Sequence, residues 1–250
     1  MTARSCYMIE QQAPFNVVVA YIAVSDPNLY SIDTYAPRFR DTYLKFSAGY
    51  PHRLIVVCNG GNLTPFRQKH FSGLDCEFYP RPNDGGKDIS GYQAIAHTVP
   101  CDFLVCLGDS VYFHREGWLK RLVEARLENG PGMYGVFASH YPIAHLCTSF
   151  FGVDPCFLRR YPPVTNHTER YVFEHGGNAL WRRIVASKAQ ARLVTFDGDW
   201  EPGKWRKPQN CYWKGDQSNC LARVNHLDRW ESQREDVRRA WTDAANSPFA

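Results

Sequence analysis

Two stretches of this 250-residue chain combine residue types that suit an anionic ligand. The first is Arg81-Pro82-Asn83-Asp84-Gly85-Gly86-Lys87-Asp88-Ile89-Ser90-Gly91, a glycine-rich polar turn leading from an apolar run into helical spacing. Paired glycines let the backbone approach a ligand closely, and the free N–H groups of a helix start suit a phosphate. Asp84 and Asp88 could accept hydrogen bonds from a ribose or base, with Asn83 and Lys87 beside them. The same composition also serves an ordinary turn, with Asp88 as a helix cap. The second stretch, Leu107-Gly108-Asp109-Ser110-Val111-Tyr112-Phe113, sets one carboxylate where the most apolar run of the chain stops. A charge there must be solvated, paired or bound to a metal, because burial alone is too costly. Mg²⁺ or Mn²⁺ held by one or two carboxylates and a diphosphate would neutralise a departing phosphate. The competing reading is a strand-end Asp that caps a turn.

The elements that must position these residues can be read from hydrophobic spacing. Continuous apolar runs bounded by turn residues at 17–24, 54–58, 76–79 and 103–107 read as buried strands. Helical spacing separates them: Ile32, Tyr35, Phe39, Tyr43 and Phe46, with Pro37 tolerable only in a first turn; Ile89, Tyr92, Ile95, Ala96 and Val99 behind Asp88; and Trp118, Leu119, Leu122, Val123 and Leu127 behind Glu116. Strands alternating with helices imply an α/β fold, a mainly parallel sheet covered on both faces, with ligands at the carboxyl ends of the strands. The second half is less regular. It reads as a strand at 134–138, a helix at 168–187, a strand at 192–196, an aromatic and proline-rich loop at 200–213, and a charged terminal helix with Leu227, Trp230, Val237 and Trp241 on one face.

Taken together, the turn from Asn83 to Gly91 and the strand end Gly108-Asp109-Ser110-Val111-Tyr112 resemble the nucleotide-sugar-binding core of GT-A glycosyltransferases. The chain is most similar there to family-2-like and rhamnan-synthesis-type members. The resemblance covers roughly residues 16–130, and it implies a single domain over 1–250. Residues 16–130 would be the nucleotide-sugar-binding half, and 131–250 the acceptor half with its C-terminal helix. It further implies transfer of a sugar from a nucleotide-sugar donor to the hydroxyl of a glycan or other acceptor, in polysaccharide or glycoconjugate synthesis. Asp109 would be the acid facing a divalent cation (Mn²⁺ or Mg²⁺) or the diphosphate, with Asp88 and Asn83 near the nucleoside. Gly215-Asp216-Gln217 is similar to the late acid that such enzymes set at a helix start, and Asp216 would then act as general base in an inverting reaction. Asp216 equally suits the N-cap of a helix at 217–224. Three departures stand out: Gly108 where an acid or Asn is usual, one extra residue between Asn83 and Asp88, and Asn59-Gly60-Gly61 in place of an acidic second-strand end.

Other residues carry weaker signals. His226 is a candidate late metal ligand, although a lone His more often has another role. Glu174 and His175, before Gly176-Gly177, read as a packed acid and a partly exposed His; His140 and His145 receive no role. No Gly-x-Ser-x-Gly elbow or Cys–His signature surrounds Cys147 and Ser149, which disfavours covalent nucleophilic catalysis. Two rivals to the transferase remain: a degenerate relative that binds a glycan or partner protein, and a nucleotidyltransferase. The latter normally has a glycine-rich basic loop after the first strand, where this chain has Ser25-Asp26-Pro27-Asn28.

Composition bounds these readings. Hydrophobic residues at 44% and charged residues at 22% argue for a packed core. The net charge of +4, from 29 basic and 25 acidic residues, is scattered, so no nucleic-acid-binding stripe is expected. The basic stretch Lys204, Arg206 and Lys207 among Trp200, Trp205 and Trp213 suits a solvated loop, phosphates, an acidic acceptor or a peripheral membrane contact. Nine cysteines without a Cys-x-x-Cys pair disfavour a zinc ribbon and suit reduced thiols. With no signal-peptide pattern and no membrane-length apolar run, the expected location is cytoplasmic, which argues against use of the Asn62 and Asn166 glycosylation sequons.

Overall fold

The computed structural model describes residues 15–24, 31–208 and 213–247. Cys6, the Ser25-Asp26-Pro27-Asn28 loop, and Cys211 within the aromatic loop lie outside them.

The first half alternates as its spacing requires: β1 (Val17–Val24), α1 (Ser31–Lys45), β2 (Arg53–Asn59), a short α2 (Pro65–Gln68), β3 (Cys76–Arg81), α3 (Lys87–Thr98), β4 (Phe103–Leu107) and α4 (Trp118–Asn129). The second half adds β5 (Gly132–Gly135), β6 (Ala138–Ser139), β7 (His145–Leu146), β8 (Phe150–Val153), α5 (Pro155–Arg160), α6 (His167–His175), α7 (Leu180–Ala186), β9 (Gln190–Thr195), β10 (Gly198–Trp200), α8 (Asn225–Glu231) and α9 (Glu235–Asn246). Eight strands form one sheet in the order β10-β9-β5-β8-β4-β1-β2-β3, and β6 pairs with β7 in a separate hairpin. The pairs β1–β2, β2–β3, β1–β4 and β5–β9 are parallel, whereas β8 runs antiparallel between β4 and β5, and β10 is an antiparallel edge.

Strand β1 shows why the central runs are apolar without a break. Val17, Val19 and Tyr21 face a core with Ile32, Ala36 and Phe39 of α1 and Trp118, Leu119 and Leu122 of α4. Val18, Ala20 and Ile22 face the opposite core, built with Ile89, Tyr92 and Ile95 of α3 and with Leu180 and Trp181 of α7. A strand covered on both sides has no solvent face for polar residues.

Several boundaries differ from the sequence expectation, each for a local reason. Pro37 lies past the first turn of α1, so the helix runs through a residue that donates no hydrogen bond. Gly86 and Gly117, not Asp88 and Glu116, occupy the N-cap positions of α3 and α4. The 168–187 segment is two helices, α6 and α7, divided at Gly176-Gly177, and the terminal helix is likewise two, α8 and α9. The expected strand at 134–138 is shorter and earlier, because Val136 leaves the ladder to bond the Phe150 carbonyl at 3.1 Å. The expected helix at 217–224 does not form; those residues are turns that end in a bridge between Tyr112 and Arg223. Asn166 of the second sequon caps α6, its side chain accepting from Glu169 N–H at 2.9 Å.

The paired glycines before α3 answer a packing need. A Cβ on Gly86 would collide with the Val164 carbonyl, and one on Gly85 with the Thr165 carbonyl. The turn is thus pressed against the 164–166 segment. Gly86→Ala is expected to destabilise the protein by about 1–3 kcal/mol through overpacking, read as a lower denaturation midpoint with an unchanged m-value.

Candidate functional site

The carboxyl ends of β1, β2 and β4 open into a cleft of about 610 Å³. Ile22 and Val24 form part of its floor, Asn59 its β2 side, and Gly108, Asp109 and Ser110 its β4 side. Asn83, Lys87 and Asp88 enter from the start of α3, Arg170, Glu174 and His175 from α6, and His145 from the β6–β7 hairpin. This is the place where an open α/β sheet receives a ligand.

Asp109 and Asp88, twenty-one positions apart, meet here. The Asp109 backbone carbonyl accepts a 2.6 Å bond from the buried Tyr21 hydroxyl, which fixes the turn and leaves the carboxylate facing the cleft. Burial, and then the nearby Asp88 charge, push the Asp109 carboxyl above its ordinary range, against the Ser110 N–H and Arg170. Asp88 is held by a two-point ion pair: Arg170 Nε lies 2.7 Å from Oδ1, and a terminal guanidinium nitrogen donates to Oδ2 at 3.2 Å. Arg170 and Glu174, four residues apart on α6, thereby share one face toward the donor-side acids.

Asp84 points elsewhere. It takes a 2.6 Å ion pair from Arg81 and hydrogen bonds from Gly86 N–H and the Ser90 hydroxyl. Against a burial penalty of opposite sign, the Ser90 and Arg81 contacts hold its carboxyl below the usual range. Asp84 therefore braces the turn and is not among the residues that line the cleft. Asn59, almost fully buried, completes that brace by donating to the Lys87 carbonyl at 3.0 Å and accepting from Arg81 at 2.9 Å.

His226 reaches the cleft because the C-terminal segment is strapped across the Asp109 loop. Tyr112 and Arg223 exchange backbone bonds of 3.0 and 2.8 Å, and the Tyr112 hydroxyl donates to Asp228 at 2.6 Å. The Ser110 hydroxyl donates to Asn225 at 3.0 Å. Burial, then the Arg229 charge, lower the His226 pKa, with Glu174 acting in the other direction. An imidazole kept neutral in this way retains a lone pair for a ligand.

Asp216 is exposed and does not line the cleft. Its carboxylate accepts from the Ser218 N–H at 3.0 Å, and the Ser218 side chain and N–H hold it below its ordinary pKa. A weakly basic carboxylate outside the cleft is poorly suited to take an acceptor's proton. Asp216→Ala is expected to change kcat by less than about twofold in a steady-state assay, since it would touch only a surface turn.

The structure also assembles a group that spacing did not suggest. His145, Glu174 and His175 offer ligating atoms that all lie within 4.8 Å of one another, the only such cluster of three among the described residues. The Glu174 carboxylate accepts from Thr148 N–H at 2.8 Å, and the His145 and His175 rings sit 4.2 Å apart. Asp109 and His226 line the same cleft but belong to no such cluster. The pairing of residue 145 with residues 174 and 175 depends on a two-strand hairpin laid over α6. Only the adjacent Glu174-His175 pair was visible in the sequence.

The remaining surface features are ordinary. Lys204 pairs with Glu201 at 2.5 Å, and Arg206 donates to the Ser247 carbonyl at 2.8 Å. Among the described residues no helix is long and apolar enough to cross a membrane.

No protein-family model and no curated protein matches the sequence. Solved structures similar in fold include residues 1–349 of S. aureus TarS in complex with UDP, at 11% identity and a TM-score of 0.47, covering 64% of this chain and 54% of that one. The galactosyltransferase LgtC in complex with donor and acceptor sugar analogs aligns at 9% identity and a TM-score of 0.42, over 58% of this chain and 60% of that one. HddC from Yersinia pseudotuberculosis aligns at 10% identity and a TM-score of 0.42, over 61% and 83%. Against a longer TarS structure the match spans 32% of that chain. The protein is a mixed α/β fold with a mainly parallel sheet flanked by helices.

Proposed function

We propose that this protein transfers a sugar from a nucleotide-sugar donor to an acceptor hydroxyl. The observation that carries the reading is the meeting of Asp88 and Asp109, from two different strand–helix junctions, in one cleft that Lys87 and Arg170 also line. A sugar diphosphate needs such a mixture, with cations for its phosphates and an acid that can share a divalent ion with them.

The donor set fits a hard cation. Asp109 is a carboxylate whose ionised form is disfavoured by burial and by Asp88, so a nearby positive ion would relieve it. A Cβ at Gly108 would come 3.2 Å from the Ser149 carbonyl, which leaves little room for a second acid there. Asp109, with His226 as the candidate second ligand, would therefore hold Mn²⁺ or Mg²⁺ together with the donor's own oxygens. When bound, such a cation neutralises charge that develops on the leaving diphosphate. The chain's own residues do the rest: Arg170 fixes Asp88, the Asp84–Arg81–Asn59 brace fixes the turn, and Glu174, which also lines the cleft, is the carboxylate left to face an acceptor hydroxyl.

Titration of UDP-, GDP- and dTDP-sugars with and without Mn²⁺, followed by release of the nucleoside diphosphate, tests the proposal. Metal-assisted binding and slow donor hydrolysis by at least one of them is the expected result. Failure of every nucleotide sugar to bind would leave the cleft as a glycan- or partner-binding site.

A further inference from the structure

A second set of ligating atoms lines the same cleft, and its chemistry differs from that of Asp109. The ligating atoms of His145, Glu174 and His175 lie within 4.8 Å of one another. The His145 Nδ1 lies 2.8 Å from the Ile143 carbonyl, an arrangement that requires the proton on Nδ1 and leaves Nε2 with its lone pair exposed to a ligand. Metal-bound histidines are commonly oriented by this kind of backbone bond on the nitrogen that faces away from the ion. The Nε2 atom stands 3.6 Å from Cys147 Sγ.

Two further features agree with this geometry. The Nδ1 atom of His175 is buried with no hydrogen-bond partner, 4.0 Å from the nearer Glu174 oxygen. A buried polar atom left alone in a polar cleft calls for an explanation, and a cation shared with Glu174 supplies one. The Glu174 oxygen that accepts from Thr148 N–H gains the outer-shell support that ligating carboxylates usually have.

We propose that His145, Glu174 and His175 form a binding site for a borderline divalent transition metal of the Zn²⁺ class. Paired imidazole donors prefer such ions, whereas the carboxylate and phosphate oxygens at Asp109 prefer Mg²⁺ or Mn²⁺. The cleft thus holds two metal sites of different selectivity. The zinc-class site stands independently of glycosyl transfer. If Glu174 is also the acceptor's base, a bound Zn²⁺ takes up its lone pair, and micromolar Zn²⁺ inhibits transfer while Mn²⁺ supports it.

The test is equilibrium dialysis of the full chain against Zn²⁺, with Co²⁺ absorption as a spectroscopic probe and thermal unfolding as a check of fold. Wild type and Asp109→Asn are expected to bind one equivalent of Zn²⁺ and to unfold at higher temperature with it. His145→Gln and His175→Gln should lose at least tenfold in affinity and show no Zn²⁺-dependent shift. Glu174→Gln serves as the alternative where a histidine variant unfolds. Substoichiometric binding by wild type, or undiminished binding by the folded His145 and His175 variants, overturns the proposal. Zn²⁺ binding without any nucleotide-sugar turnover would remove the transferase reading and keep this site; turnover with no Zn²⁺ binding would do the reverse.

Discussion

Asp109→Asn is expected to lower donor turnover by about 10³-fold, the scale on which loss of one preorganised electrostatic group acts on a developing charge. The same change should leave the fold intact and even strengthen it. Tyr21 bonds the Asp109 backbone carbonyl, not its side chain, so the turn keeps its anchor. The carboxyl's folded-state pKa is raised by burial and by Asp88. A group of that kind destabilises the metal-free protein once pH rises through its folded-state value, and the deficit is absent below the unfolded value. Removing the charge should therefore raise the neutral-pH Tm of the metal-free protein by about a few degrees. Below the ordinary carboxylate range, where the carboxyl is protonated in both folded and unfolded wild type, the two proteins should converge. Calorimetry across pH, beside a nucleoside-diphosphate release assay, measures both effects. A lowered Tm at neutral pH, or turnover within about tenfold of wild type, would show that Asp109 is a structural acid.

That one residue carries charge at a cost to the fold is consistent with a site built for a ligand. Its surroundings divide the labour. Asp84 is satisfied by Arg81, Ser90 and Gly86, while Asp88 is satisfied by Arg170. Asp109 has the weakest compensation of the three and stands where the most apolar strand ends. The distinction between Asp84 and Asp88 is orientational. Both belong to one turn, but only Asp88 lies on the side of α3 that faces α6.

The convergence of Asp88 and Asp109 was legible in the chain because parallel strands joined by helices bring their carboxyl ends to one edge. The runs that became β1 and β4 are unbroken apolar stretches, and a strand buried on both faces leaves that signature. The second half left no comparable signal. Its strands β6 and β7 are two residues long and β5 and β8 four, too short for a period to emerge. The split of α6 from α7 and the bridge from Tyr112 to Arg223 are tertiary events, and spacing along the chain does not encode them. The acceptor side of the site was hidden for the same reason. His145 meets Glu174 only because the hairpin folds over α6, whereas Asp216, which the family resemblance offered as a base, ends in an exposed turn.

Glu174→Gln should separate acceptor chemistry from donor binding. Three carboxylates line the cleft among the described residues, Asp88, Asp109 and Glu174. Asp88 is occupied by Arg170, and the proposed function gives Asp109 to the donor, so on that reading Glu174 is the acid left to take a proton from an entering hydroxyl. General base catalysis contributes about 10²–10⁴-fold, and kcat with acceptor is expected to fall within that range. The glutamine keeps a carbonyl oxygen for the 2.8 Å bond from Thr148 N–H, and its amide can donate to the unpartnered His175 Nδ1, so the local structure should persist. Nucleotide-sugar affinity should therefore stay within about twofold of wild type, because no donor contact is assigned to this side chain. Glu174→Asp, which retains a base but shortens its reach, should recover part of the rate. If kcat falls equally in the Gln and Asp variants, Glu174 acts by holding the Thr148 loop, and the acceptor's proton leaves by another route.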